Sequence, residues 1–359
     1  MNRKELLKKQ YEERVASPEG GSRPMPVAKG RPPRPYRRSA FWRWFWLLFL
    51  ITLLGGFFHW REDVFAVWNR MFDKDGGNRL FGSVPENNAI GDPYPTTQLG
   101  HSAGSLPETV VRQYFVPSEA ELEQLFEYVR SSPHVKENLQ YANTMKSVRF
   151  FYLGDDSTVN AFASLRKLDE RSDELTRVIC FFGGAARFSR VASLAVAAEL
   201  DGDKGATARL INALTPADCG KMDDEAVVRI ANAAGLGAAL ATDATRTKAK
   251  SVSAGMILGI LAHESGHQSL GHVLNTGRSE NLEISRNQER EADLFASSVI
   301  SASPFGEYMF AGTLFWYYAL ATQEGGKQEN THPLSKERFE NLVRSNPEKA
   351  AAMGVSLKE

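Results

Sequence analysis

The stretch from Ile257 to Leu274 reads ILGILAHESGHQSLGHVL and contains a His-Glu-x-x-His motif. The apolar residues that lead into the motif are typical of a buried helix. On a helix, residues four positions apart lie on one face, so His263 and His267 can bind the same metal ion. Glu264 lies beside them, where its carboxylate can take a proton from a metal-bound water. The motif therefore predicts a zinc-binding helix that needs a third ligand from elsewhere.

The residues that directly follow the motif do not supply this ligand. In the metzincin pattern a third histidine stands six residues after His267, but here that residue is Val273. His272 is next to it. It lies about 180° around the predicted helix from His263 and faces away from any metal that the first pair binds, so we expect a packing or hydrogen-bonding role for it.

A second predicted helix, residues 283–301, offers carboxylates instead. Glu289 and Asp293 are four residues apart and share one face of this helix, whereas Glu291 points elsewhere. This shared face favours Glu289 over Glu291 as the third ligand.

Together these residues resemble the gluzincin membrane peptidases of the HtpX and CAAX prenyl protease type. Four motifs follow the family's order between residues 150 and 342: His263-Glu264-x-x-His267, Glu289-x-x-x-Asp293, Val159-Asn160-Ala161-Phe162-Ala163, and Thr331-His332-Pro333 with Arg338 after it. The resemblance is to single-span, BepA-like periplasmic members rather than to multi-span ones. It implies an α+β, zincin-like metallopeptidase domain, with helices around a small sheet.

The resemblance implies one zinc ion per chain, held by His263, His267 and Glu289. Asp293 would orient a ligand histidine, as the support of a metal site requires. Glu264 would act as the general base towards a water whose pKa zinc lowers towards about 7.

The other two motifs imply residues that contact the substrate. Asn160, Ala161 and Phe162 would belong to a strand that pairs with an extended peptide through main-chain hydrogen bonds. His332 and Arg338 would lie beside the zinc and stabilise the oxyanion that develops during peptide hydrolysis.

The charge of the chain is distributed unevenly along its length. Residues 1–43 hold 12 Lys/Arg and 4 Asp/Glu, a net charge of +8, and the remaining residues hold a net charge of −8, so the whole chain is neutral. This division argues against nucleic acid as a partner and favours a membrane with unlike compartments on its two sides. Residues 1–40, basic and rich in Pro and Gly, are predicted to be a disordered cytoplasmic tail.

Residues 41–60, FWRWFWLLFLITLLGGFFHW, predict one transmembrane helix, because about 20 residues of helix cross a bilayer. Arginines precede this span and Glu62 and Asp63 follow it, so the positive-inside rule places the catalytic domain outside the cytoplasm. We expect a single-pass protein of the inner membrane with a periplasmic catalytic domain that contacts the lipid bilayer through this span.

The rest of the chain divides into a juxtamembrane linker at 61–108, a metallopeptidase domain at 109–345 and a tail at 346–359. Within the domain, strands are predicted at 148–153, 157–163 and 178–182, and 201–250 is interpreted as an insertion that could cover the cleft. A core helix is predicted at 308–321. Cys180 and Cys219 can either pair or remain as free thiols.

The function predicted from these features is zinc-dependent hydrolysis of peptide bonds in protein substrates, for quality control of envelope proteins. The alternative is a zinc-containing, chaperone-like assembly factor that binds unfolded envelope proteins with little turnover. Glu264 argues against this alternative, because a binding module does not need a general base beside the metal.

Overall fold

The computed structural model describes residues 114–169, 173–274, 282–303, 306–323 and 335–352. Together these residues form a mostly helical α+β structure with a small sheet. In chain order the elements are α1 (Glu119–Arg130), α2 (Pro133–Glu137), α3 (Leu139–Ser147), β1 (Arg149–Leu153), β2 (Ala161–Lys167), β3 (Leu175–Phe182), α4 (Gly183–Leu200), α5 (Ala206–Ala213), α6 (Pro216–Gly220), α7 (Asp224–Ala233), α8 (Gly237–Ala241), α9 (Asp243–Ser269), α10 (Leu282–Ala302), α11 (Gly306–Gln323), α12 (Ser335–Ser345) and α13 (Pro347–Ala352).

The sheet has the strand order β1-β3-β2. β3 lies in the centre, parallel to β1 and antiparallel to β2. The last five residues of β3 are buried, as expected of a central strand with both faces covered. Residues 154–160 connect β1 and β2 along the chain, but β3 separates these two strands in the sheet.

β2 begins later than the strand predicted at 157–163. The Asp156 side chain accepts hydrogen bonds from the backbone N–H and the hydroxyl of Thr158, which fixes a local turn. Thr158 then forms an isolated bridge with Lys221, and the Val159 N–H donates to the Gly220 carbonyl. Residues 158 and 159 therefore pair with the segment at 220–221 rather than with the sheet.

The long helix α9 packs against α11 through glycines. A Cβ atom on Gly259 would lie 1.8 Å from Thr313 Oγ1, and a Cβ atom on Gly255 would lie 2.3 Å from the Tyr308 carbonyl oxygen. Such contacts leave no room for any larger residue, so the glycines allow the two helices to approach closely. α11 contains the core helix predicted at 308–321, and residues 309–319 are buried.

The segment interpreted as an insertion, 201–250, forms α5 to α8 and the first residues of α9. Its apolar side chains, such as Leu210 and Ile230, join the same core as α4. The buried carboxylate of Glu199, at the end of α4, accepts hydrogen bonds from the N–H groups of Gly205 and Thr207 and so ties α5 to α4. A role in covering the cleft stays a prediction.

The predicted membrane anchor and the two cysteines are the remaining features of the chain. The N-terminal tail at 1–40, the span at 41–60 and the linker at 61–108 lie outside the described residues, and among those that the structure describes no helix is long and apolar enough to cross a membrane. Cys180 and Cys219 are not joined to each other by a disulfide bond in the structure. Burial raises the pKa of Cys180 to about 12, the nearby Arg166 opposes this shift, and Glu264 adds to it.

Candidate metal centre

The candidate metal ligands come from two neighbouring helices. His263 and His267 lie on α9, and Glu289 lies on α10. Gly266 stands between the two histidines and faces α10, where an added Cβ would lie only 3.1 Å from the Ala292 Cα atom. The glycine within the motif thus lets the helix that carries Glu289 approach the histidines.

The three side chains form a group that can hold a metal ion. His263 Nε2 lies 3.2 Å from His267 Nε2 and 3.2 Å from Glu289 Oε2, and His267 Nε2 lies 3.5 Å from Glu289 Oε1. Zinc binds nitrogen and carboxylate oxygen at about 2.0–2.2 Å, so two ligands of a tetrahedral ion lie about 3.3–3.6 Å apart. The donor types and their spacing therefore fit a zinc ion.

Asp293 holds the ring of His263 from the side opposite Nε2. Its Oδ1 atom lies 2.8 Å from His263 Nδ1, and because a carboxylate only accepts, Nδ1 carries the proton of this hydrogen bond. Nε2 of His263 is then left for a metal, which is the arrangement that metal-binding histidines require. Asp293 thus contacts a candidate ligand histidine, and its role in orienting that ligand towards a metal stays a prediction.

Arg338 and Tyr317 complete the surroundings of Asp293. Arg338 donates from Nη2 to Asp293 Oδ1 at 2.7 Å and from Nε to Oδ2 at 3.0 Å. The Tyr317 hydroxyl donates to Asp293 Oδ1 and accepts from Arg338, each at 2.9 Å. Arg338 was predicted to stabilise an oxyanion, but its guanidinium donates to both oxygens of Asp293. This geometry favours a role in positioning Asp293 and, through it, His263.

The charges of this network shift the pKa values of Asp293 and His263 in opposite directions. Burial alone would raise the pKa of Asp293, but the Arg338 guanidinium and His263 hold it well below its ordinary value of 3.8. Burial and Arg338 lower the pKa of His263, and its hydrogen bonds to Asp293 and Glu289 outweigh them and raise it to about 10 in the metal-free protein. Asp293 is consequently ionised throughout the neutral range.

His272 does not face away from the motif as the helical projection predicted. α9 ends at Ser269, and Gly271 adopts a left-handed conformation with φ of +77°, so the chain turns back on itself. His272 Nδ1 lies 3.0 Å from His267 Nδ1, and His272 Nε2 lies 2.8 Å from Glu291 Oε2. The predicted hydrogen-bonding role of His272 agrees with these contacts, but its predicted direction was wrong.

The remaining predicted site residues lie on α9, at the start of β2 and outside the described part of the chain. Glu264 is buried on α9, one residue after His263. Asn160 is exposed just before β2, and Ala161 and Phe162 begin that strand at the edge of the sheet. His332 lies outside the described residues.

Gln268 is a residue of the site region that the sequence did not single out. Its fully buried side chain donates from Nε2 to the carbonyl oxygens of Ser164, at 3.2 Å, and Val178, at 2.7 Å. Arg177 donates to the Gln268 carbonyl oxygen at 3.2 Å. These bonds fix α9 against β2 and β3, directly after the second candidate ligand. A polar residue inside an apolar helix was the signal available in the sequence.

Comparison with known proteins gives one family match. No curated protein and no solved structure shows a significant match to the chain. The family match begins near the end of α7, covers α8 to α13 and thus contains His263, His267, Glu289, Asp293 and Arg338. It indicates a peptidase family without singling out the HtpX and CAAX prenyl protease type. Residues 232–354, about a third of the chain, match the family described as Peptidase U49.

Proposed function

We propose that the protein is a membrane-anchored zinc metalloendopeptidase that hydrolyses peptide bonds in protein substrates. One observation carries the proposal: the Nε2 atoms of His263 and His267 lie 3.2 Å apart, and the two carboxylate oxygens of Glu289 lie 3.2 Å from the first and 3.5 Å from the second. Glu264 directly follows His263 in the sequence. The match of residues 232–354 to a peptidase family supports the same reaction class.

His263, His267 and Glu289 would hold the zinc, and Asp293 and Arg338 keep His263 in its ligand orientation. Zinc bound there would polarise the scissile carbonyl and supply hydroxide at neutral pH. Glu264 would accept the proton of the attacking water and return it to the leaving amine.

The edge strand β2 offers a place for an extended substrate. Within the described residues β2 lies at the edge of the sheet, beside β3, and an extended peptide would add along it as a further strand. Gln268 ties this strand to the helix that carries the histidines. Main-chain pairing selects weakly among sequences, which suits quality control of envelope proteins.

The cellular location is a proposal from the sequence. Residues 41–60 would cross the inner membrane once, with the basic tail in the cytoplasm and the catalytic domain in the periplasm.

The experiment measures cleavage of casein and zinc content for the purified full-length protein. Glu264→Gln is the test variant, and Glu123→Gln, which changes an exposed glutamate on α1, is the matched control. We expect equal zinc in all three proteins and a cleavage rate about 10²–10⁴-fold lower in Glu264→Gln alone. A chelator should abolish cleavage, and added zinc should restore it.

Other outcomes distinguish the alternative function. Zinc in the parent with no cleavage, together with capture of unfolded protein, would favour the chaperone-like assembly factor. A folded parent without zinc, even after zinc is added, would contradict the proposed metal site.

A further inference from the structure

We propose that His272, held by Glu291, is a positioning residue for the second zinc ligand, His267. The inference rests on the proposed metal centre. It gives His267 a support that is separate from the Asp293 and Arg338 network, which holds His263.

The support consists of two consecutive hydrogen bonds. His267 Nδ1 lies 3.0 Å from His272 Nδ1, and His272 Nε2 lies 2.8 Å from the Glu291 carboxylate. His272 is buried, whereas the Glu291 side chain is 60% exposed. The contacts thus run from the metal side of α9 to a carboxylate at the surface of α10.

The proton positions follow from the donors and acceptors alone. When Nε2 of a neutral His267 binds a metal, its proton must be on Nδ1, which then donates to Nδ1 of His272. Because His272 accepts at Nδ1, it carries its own proton on Nε2 and donates that proton to Glu291, which can only accept. Each bond of this arrangement has one donor and one acceptor, so the orientation and tautomer of His267 are both fixed.

The chain path that places His272 depends on the end of α9. The N–H group of Leu270 donates to the Gly266 carbonyl, and Gly271 then takes the left-handed conformation that ends many helices. The Gly271 N–H donates to the Gln268 carbonyl, which closes the turn. A continued helix would have directed His272 away from His267, so the early helix end is a condition of the contact.

The two ligand histidines therefore have unlike supports. Asp293 is buried and contacts His263 directly, so it acts on the ligand as a charge within the protein interior. Glu291 is exposed and acts on His267 through a neutral imidazole. Loss of the His272 imidazole should therefore reduce zinc affinity more than loss of the Glu291 charge, because solvent screens that charge.

The test measures zinc affinity of the full-length protein by competition with a chromophoric chelator, and records the visible spectrum of the Co²⁺-loaded protein. The variants are His272→Phe, which keeps a ring but no nitrogen, His272→Gln, which keeps an acceptor, and Glu291→Gln. His134→Phe is the matched control, because His134 also packs against α10, through the Phe295 ring, and contacts no candidate ligand.

We expect His272→Phe to weaken zinc binding about 10–100-fold and to alter the Co²⁺ spectrum. His272→Gln should recover part of the affinity, Glu291→Gln should lose less than His272→Phe, and His134→Phe should match the parent. A purely structural role for His272 would leave the spectrum of the folded variant unchanged.

Three results would overturn the inference. Parental affinity and spectrum in His272→Phe, while His263→Ala abolishes binding, would remove the role of His272 and leave the metal centre intact. If His272→Phe does not fold, parental zinc affinity and Co²⁺ spectra in both His272→Gln and Glu291→Gln would likewise remove the role of His272. A parent protein that binds no zinc would overturn both the metal centre and the role of His272.

Discussion

Nδ1 of His263 lies 2.8 Å from Oδ1 of Asp293, and this contact joins the helix of the His-Glu-x-x-His motif to the helix of the candidate third ligand. Arg338 and Tyr317 meet the same carboxylate from α12 and α11. Three elements outside the motif thus determine how His263 presents Nε2 to a metal, and the first three predictions follow from this contact.

Asp293→Asn should weaken zinc binding about 10–100-fold, because an amide has no charge to support the His263 ring and its NH₂ group cannot accept the Nδ1 proton. The measurement is zinc affinity by chelator competition, with Glu123→Gln as the control for the loss of one negative charge. Equal affinities of Asp293→Asn and the parent would exclude a role of Asp293 in holding the ligand.

Arg338→Lys should lower zinc affinity and cleavage rate together. Lysine has a single ammonium group and cannot donate to both oxygens of Asp293 in the planar geometry of arginine. Arg344→Lys, on the exposed side of the same helix, is the matched control. A lower kcat at unchanged zinc affinity would instead assign Arg338 the donation to an oxyanion that the sequence predicted.

In the zinc-free protein, the stability that the His263–Asp293 pair provides should be greatest between pH 3.8 and 6.5, the ordinary pKa values of the two groups. The pKa of Asp293 is lowered on folding, so its contribution is present above 3.8 and is lost as the pH falls below that value. The pKa of His263 is raised to about 10, so its contribution is complete below 6.5 and is lost as the pH rises towards 10.

Urea unfolding of the zinc-free parent and of Asp293→Asn at several pH values tests this. The difference in the free energy of unfolding between the parent and Asp293→Asn should be greatest between pH 3.8 and 6.5. It should decrease below and above that range. A difference that stays constant from pH 3 to pH 10 would contradict the charged pair.

The packing of α9 against α11 gives a prediction on stability. Gly259→Ala should destabilise the protein by about 1–3 kcal/mol, because the added Cβ would lie 1.8 Å from Thr313 Oγ1. In a Thr313→Ala background the same change should cost less, since that hydroxyl is gone. Gly237→Ala is the control: no atom lies within 4 Å of its added Cβ, and alanine favours helix, so it should be neutral or stabilising. Equal costs of Gly259→Ala in both backgrounds would show that Thr313 is not the obstacle.

Several features of the fold and of the candidate site could be predicted from short stretches of sequence. The spacing of His263 and His267 and of Glu289 and Asp293 places each pair on one helical face, because the helical period depends on the backbone alone. Ser118 caps α1 through the Glu121 N–H, as expected of a serine three residues before a glutamate. The apolar run at 308–321 likewise predicted a buried helix.

Other features depended on contacts between distant parts of the chain. The backbone pairing of residues 158 and 159 with 220 and 221 moved the start of β2, and the placement of β3 between β1 and β2 set the strand order. The hydrogen bonds of Gln268 to two strands and the engagement of Arg338 with Asp293 also join segments far apart in sequence. No local pattern specifies which of several compatible partners a group meets.

His263, Glu264 and His267 were thus determined as a group by the sequence, because their relative positions follow from one turn of helix. The tertiary structure decided what surrounds them. It brought Glu289 and Asp293 to the histidines by packing α10 against α9 at Gly266, and it returned His272 to His267 through the left-handed turn at Gly271. Helical periodicity describes a single segment, whereas the close packing of two segments and the end of a helix depend on the whole fold.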